Sequence, residues 1–97
     1  MGKPQLEALE DAIEFGKTIV SIDHLLGHTI HVFGSTMFGD EMKRKIAAEL
    51  GEQRRLVKGI IETVDQKYAG IKAAEEAKIY AQKRLAELEE AARPYLG

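Results

Sequence analysis

Apolar residues recur at steps of three and four along most of the chain, which is the spacing of amphipathic α-helices. The first such run predicts a helix over about residues 4–33. Its apolar stripe comprises Ala8, Ala12, Phe15, Ile19, Ile22, Leu26, Ile30 and Phe33, and Leu9, Ile13 and Val20 widen it. After Ser21 the polar side fades, because Leu25 and Val32 take positions that polar residues hold earlier. We therefore expect other helices or a second chain to surround the second half of this helix.

The remaining pattern predicts two further helices with a turn between them. The second helix is expected over about residues 41–68, with the apolar stripe Met42, Ile46, Leu50, Val57, Ile60, Ile61, Val64 and Tyr68. At about 100° per residue, the later apolar set lies roughly 120° around the helix axis from this stripe. Because Gly70 stands where the phase changes, we predict a turn there and a third helix over about residues 72–95. The alternative is one continuous helix that changes its packing partner at Gly70.

These elements predict an all-α fold, a three-helix antiparallel bundle in one domain over residues 1–97. A chain of 97 residues is near the lower end of sizes that bury a self-sufficient core, so we expect self-association to complete the bundle. A homodimer is the favoured form, because it would cover the apolar second half of the first helix. The sequence has no asparagine, and scarce thermolabile amides are consistent with thermostability.

Composition excludes several kinds of site and partner. The net charge is −2 with both signs mixed, so nucleic acid is not an expected partner. The absence of cysteine excludes disulfides, thiolate zinc sites and cysteine nucleophiles. Residues 18–38 are the only stretch long enough to span a membrane, but their aspartate and histidines would be costly at bilayer depth. Since the acidic N-terminal segment does not resemble a secretory signal, we expect a cytoplasmic protein without a membrane partner.

All three histidines lie on one face of the first predicted helix, where His24, His28 and His31 are spaced i, i+4 and i+7. Two imidazoles one turn apart can chelate one transition-metal ion, and imidazole is also a common ligand of haem iron. This spacing predicts a metal site formed by His24, His28 and Asp23, or a haem site that also includes His31. The alternative is that these histidines lie at the edge of the apolar face and hydrogen-bond to neighbours. Proton-linked switching and phosphotransfer are the remaining roles.

Asp23 and three glycines also lie on the apolar face. An unpaired buried carboxylate is costly, so Asp23 is expected to have a partner. That partner is a basic residue of the second helix, a histidine of a neighbouring chain, or a bound cation. Gly16, Gly27 and Gly34 project within about 20° of one another. Their alignment predicts either a closely crossing helix or a flat cofactor such as haem lying over Gly27.

Two functions from different classes follow from these features. The first is a small helical bundle that binds a transition-metal ion or haem through the histidines. The second is a structural or interaction protein whose role is oligomeric helical assembly without a ligand. Enzymatic activity is less expected, because the chain has no Glu-x-x-His pair, HExxH motif, P-loop, GxSxG motif or dinucleotide fingerprint.

Overall fold

The computed structural model describes residues 3–96, so the first two residues and the last residue of the predicted domain lie outside the described part. The described chain is all-α, as predicted, and contains no strand, but it has four α-helices where three were predicted. It forms α1 (Lys3–Gly34), α2 (Asp40–Ala48), α3 (Gly51–Lys67), α4 (Lys72–Ala92) and a short 3₁₀ helix (Arg93–Tyr95). Within residues 3–96, no helix has the length and apolar character needed to span a membrane.

The turn predicted at Gly70 is confirmed, and the continuous-helix alternative is wrong. α3 ends at Lys67 and α4 begins at Lys72. Gly70 has a φ of +82°, in the left-handed region that glycine adopts without the steric cost of a Cβ. This conformation reverses the chain direction and returns α4 alongside α3.

The prediction of one helix over residues 41–68 is wrong, because Glu49 and Leu50 leave the helical conformation. Glu49 has φ −114° and ψ 33°, and its N–H donates to the carbonyl oxygen of Ile46 instead of continuing the α-helical ladder. Gly51 follows directly and is a poor helix former. The break turns Lys43 inward and leaves Met42 about half exposed, although the periodicity predicted the opposite.

The third predicted helix is shorter than expected and ends at Ala92 instead of residue 95. Pro94 has no N–H to donate, and the chain finishes as the short 3₁₀ helix. The ring of Tyr95 stacks on Phe33 with 5.6 Å between centroids, and the ammonium of Lys43 lies 5.5 Å from the centroid of the same ring. These contacts close one end of the molecule.

The core lies between α1, α3 and α4. It contains Ile22, Leu26 and Phe33 from α1, Val57, Ile60 and Val64 from α3, and Ala81, Leu88 and Ala92 from α4, joined by Ala47 and Leu50. Asp23 contacts Arg84 and Phe33 contacts Tyr95, so α1 and α4 run parallel. α3 connects to α4 through the Gly70 turn and runs in the opposite direction.

The two halves of α1 are buried very differently. Ile22, Leu26 and Phe33 are buried by the chain's own helices, so a second chain is not needed to cover these three side chains. The side chains of residues 7–14 are all exposed. Leu9, Ile13 and Val20 have relative accessibilities of 53%, 51% and 56%. Exposed large apolar side chains therefore occur in both halves of α1, at Leu9 and Ile13 and at Val20 and Leu25, but only the second half also supplies buried core residues.

Candidate functional site

The structure places most of the predicted site residues around one polar pocket. Asp23, His24, Gly27 and His28 line it from α1, and Arg84 lines it from α4. Positions i, i+1, i+4 and i+5 share one face of a helix, which explains why four neighbours in the sequence converge. The pocket has a volume of about 400 Å³ and is open to solvent. His31 is exposed on the next turn of α1 and does not line it.

Asp23 pairs with Arg84, a residue of the last helix and not of the second predicted helix. Arg84 Nε donates a hydrogen bond of 3.1 Å to Asp23 Oδ1. Burial acts to lower the pKa of Arg84, but the hydrogen bond to Asp23 and the charges of Tyr80, Asp23 and Glu87 outweigh it, so the pKa is raised. The side chains of Arg84 and Asp23 are 25% and 38% exposed, so the pair stands at the edge of the core. It joins α1 to α4 and keeps the guanidinium charged.

Gly27 makes room for this guanidinium. A Cβ at position 27 would lie 2.6 Å from Nη2 of Arg84, closer than real Cβ contacts allow. Gly16 and Gly34 have no atom within 4 Å of the corresponding position. The expected helix crossing along all three glycines is therefore not seen within the described chain. One side chain approaches α1 closely, at Gly27.

His24 and His28 form a pair of neighbouring imidazoles on the wall of the pocket. Their ring centroids are 6.4 Å apart and their planes differ by 29°. Both side chains are exposed. Across residues 3–96, no group of three or more histidine, aspartate or glutamate side chains is arranged to hold a metal ion. The histidine pair would therefore need water, a ligand atom or a second chain to complete a coordination sphere.

A second, apolar groove lies between the first half of α1 and the start of α4. Its volume is about 650 Å³. Phe15 and Tyr68 stack at its base with 5.1 Å between ring centroids. The other lining residues are small or apolar apart from Lys67: Ala8, Leu9, Ala12, Gly16, Ile19, Ile71, Ala73, Ala74 and Ala77. The small side chains leave a channel where a helix or an extended apolar group can lie.

The groove and the polar pocket open along the same side of the contact between α1 and α4. At about 100° per residue, Leu9 and Gly16 of the groove lie within about 40° of Asp23 and Gly27 of the pocket.

The sequence predicted only part of these two sites. It placed Leu9, Ile13 and Val20 at the edge of the apolar stripe, but it did not show that these side chains remain exposed in the folded chain. Arg84 was missed because its contact with Asp23 joins residues 61 positions apart.

The chain matches no protein-family model, no curated protein and no solved structure. Its function is therefore inferred from the geometry of the polar pocket and the apolar groove.

Proposed function

We propose that this chain is a helical assembly protein and that the groove between α1 and α4 binds a second copy of it. The observation that carries the proposal is the apolar groove itself, which borders the exposed residues 7–14. Large apolar side chains that are contiguous and uncovered are typical of protein–protein interfaces. The three-helix packing of α1, α3 and α4 would gain a fourth helix at this position.

The first half of α1 has little within its own chain to stabilise it as a helix. Phe15 lies against Tyr68, next to the turn between α3 and α4. At about 1.5 Å per residue, residues 3–14 reach about 18 Å beyond Phe15 along the axis of α1. Most helical stability in proteins comes from the packing of an amphipathic face, and the exposed residues 7–14 have little of it. A second copy that covers this segment would stabilise it.

Charge favours a second copy as the occupant of the groove. Residues 7–14 carry Glu7, Glu10, Asp11 and Glu14 and no basic residue. The turn on the opposite side of the groove carries Lys67 and Lys72 and no acidic residue over residues 67–72. In a two-fold pair, the acidic segment of each copy would lie near the basic turn of its partner. Such a pairing uses the same patch on both subunits, as cyclic dimers do.

The test is sedimentation velocity over a wide range of protein concentration, together with thermal unfolding. We expect the mass and the unfolding temperature to rise with concentration, because association stabilises only the folded state. The double variant Leu9→Glu, Ile13→Glu should remain monomeric at every concentration. The matched control is Met37→Glu, which changes an exposed apolar residue of the loop after α1 and should associate like the unchanged protein.

A chain that is monomeric and folded from nanomolar to high micromolar concentration would overturn the proposal. Association that is unaffected by Leu9→Glu, Ile13→Glu would also overturn it, since the contact would then lie elsewhere.

Metal or haem binding through His24 and His28 is the second candidate function. The close pairing of the two exposed imidazoles supports it, because neighbouring histidines one turn apart can bind one ion. Asp23 is a less available ligand than expected, since its carboxylate accepts a hydrogen bond from Arg84. If Asp23 contributes, it acts by fixing the Arg84 side chain at the edge of the site.

This second candidate is tested by titrating haem and Zn²⁺, Cu²⁺, Ni²⁺ and Co²⁺ into the metal-free protein, followed by absorbance and calorimetry. Stoichiometric binding should disappear in His24→Ala and in His28→Ala while the helical content is kept. His31→Ala is the control, because His31 lies outside the pocket and should lose little affinity. Binding retained in both single variants would contradict the assignment.

A further inference from the structure

The guanidinium of Arg84 presents unused hydrogen-bond donors to the polar pocket. Nε donates to Asp23 Oδ1 at 3.1 Å. Nη1 forms an ion pair with Glu87 Oε2 at 3.6 Å, a distance too long for a hydrogen bond. In the part of the chain that the structure describes, Nη2 donates to no acceptor, although it is held close to Gly27. The end of the guanidinium is therefore fixed in position by Asp23 and has N–H groups left for another partner.

The other walls of the pocket add imidazole groups. His24 and His28 line it with exposed side chains, and each neutral ring carries one N–H donor and one acceptor nitrogen. Asp23 is the one carboxylate among the lining residues, and it is already engaged by Arg84. A planar guanidinium with free N–H groups matches the two oxygens of a carboxylate or phosphate. Because the guanidinium would repel a metal ion, an oxyanion here and the metal ion of the second candidate function are competing alternatives for the same pocket.

We propose that this pocket is an oxyanion site that binds a phosphate or carboxylate group of a small ligand. Arg84 is its principal donor, His24 and His28 donate from the flank, and Gly27 leaves the space that the guanidinium needs. The proposal goes beyond self-association and does not depend on it, because the lining residues come from one chain.

The response to loss of Arg84 separates an oxyanion from a metal ion in this pocket. The charged groups around Arg84 are Asp23 from α1 and Glu87 from α4, and the imidazoles of His24 and His28 lie on the same pocket wall. An oxyanion needs the positive charge and the N–H groups of the guanidinium. A metal ion needs the imidazole nitrogens and is repelled by that charge. Loss of Arg84 should therefore weaken an oxyanion and should not weaken a metal ion.

The probe is inorganic sulfate, added at constant ionic strength and compared with chloride added in the same way. Binding is followed at one pH by calorimetry and by the NMR signals of the histidine rings and the Gly27 amide. We expect saturable sulfate binding that shifts the signals of His24, His28 and Gly27. Arg84→Gln should weaken it about tenfold or more, since charge-assisted hydrogen bonds are the strong ones.

Two further variants keep the test decisive if Arg84→Gln loosens the packing of α4. Arg84→Lys keeps the charge without the planar fork and should bind sulfate with intermediate affinity. Gly27→Ala displaces the guanidinium and should weaken sulfate in a folded protein, whereas His31→Ala should bind like the unchanged chain. Equal responses to sulfate and chloride would overturn the proposal. So would sulfate affinity that is unchanged in Arg84→Gln and Gly27→Ala.

Discussion

The two halves of α1 share one apolar stripe in the sequence but meet different surroundings in the structure. Leu26 in the second half is 1% exposed, whereas Leu9 in the first half is 53% exposed. The second half lies between α3 and α4, and the first half borders the groove that it forms with Tyr68 and the start of α4. Apolar side chains therefore have two different roles along this helix. One half supplies the core, and the other supplies the surface that we propose for a second copy.

Two glycines of α1 also have different surroundings. Gly27 admits a side chain that ties α1 to α4, while the space around Gly16 is open. A glycine in a helix interior costs about 1 kcal/mol relative to alanine. That cost has a local reason at Gly27 within one chain. At Gly16, which lines the apolar groove, the open space is what a second copy would fill.

The largest expected contrast is between Leu26→Ala and Leu9→Ala. Leu26→Ala removes a buried side chain and should lower the free energy of unfolding by about 2 to 5 kcal/mol. Leu9→Ala should change it by less than about 0.5 kcal/mol at concentrations where the chain is monomeric, because surface substitutions have small effects. Chemical denaturation at low micromolar concentration measures both. Equal losses would show that Leu9 is covered within one chain.

The glycines give the next contrast. Gly16→Ala should stabilise the monomer by about 1 kcal/mol through helix propensity. Gly27→Ala gains the same propensity, but the guanidinium of Arg84 must move away from α1, so this variant should be stabilised less than Gly16→Ala. Thermal unfolding of both variants at one low concentration gives the comparison. A Gly27→Ala variant as stable as Gly16→Ala would mean that the contact with Arg84 contributes nothing.

Two ion pairs, one in each half of α1, should differ in their contribution to the free energy of unfolding, by less than the glycine variants do. Asp23→Asn weakens the part-buried pair with Arg84 and should cost about 1 kcal/mol or less of unfolding free energy. Glu14→Gln breaks a pair with Lys17 in the exposed half, where the charged atoms are 3.3 Å apart and both side chains are at least 70% exposed. We expect no measurable loss there. The order of the two variants in urea denaturation is the test, and a larger loss for Glu14→Gln would contradict it.

The smallest effect is expected at Glu52 on α3, outside both halves of α1. Arg55 Nε donates a 3.0 Å hydrogen bond to Glu52, and this bond, with the charge of Arg55, lowers the pKa of the carboxyl. A lowered pKa in the folded state stabilises the protein above the pKa of the unfolded chain. That contribution disappears as the pH falls through the lowered value. Because the pair is exposed, Glu52→Gln should leave the acid unfolding profile nearly unchanged.

Periodicity was enough to predict the all-α class, the first helix and the turn at Gly70. These features follow from local signals, namely an apolar stripe and a glycine at a change of phase. The break at Glu49 and Leu50 was not predictable, because the apolar stripe stays in phase across it and Gly51 is a weak signal. The inward rotation of Lys43 follows from that break and was missed with it.

The candidate sites were predictable only in part. His24, His28, Asp23 and Gly27 share a helix face, and helix geometry alone brings them together. Arg84 reaches them from a helix 61 positions away, and no pattern in a single sequence specifies that pairing. The apolar groove depends on where α4 begins relative to Phe15, which is a property of the tertiary packing.

The most direct test of the self-association claim is amide hydrogen exchange along α1 at low and high protein concentration. Residues 22–33 should be protected equally in both samples, because the chain's own core covers them. Residues 7–19 should exchange rapidly in the dilute sample and slow strongly in the concentrated one, as a second copy covers the groove. Exchange over residues 7–19 that is independent of concentration would contradict the account.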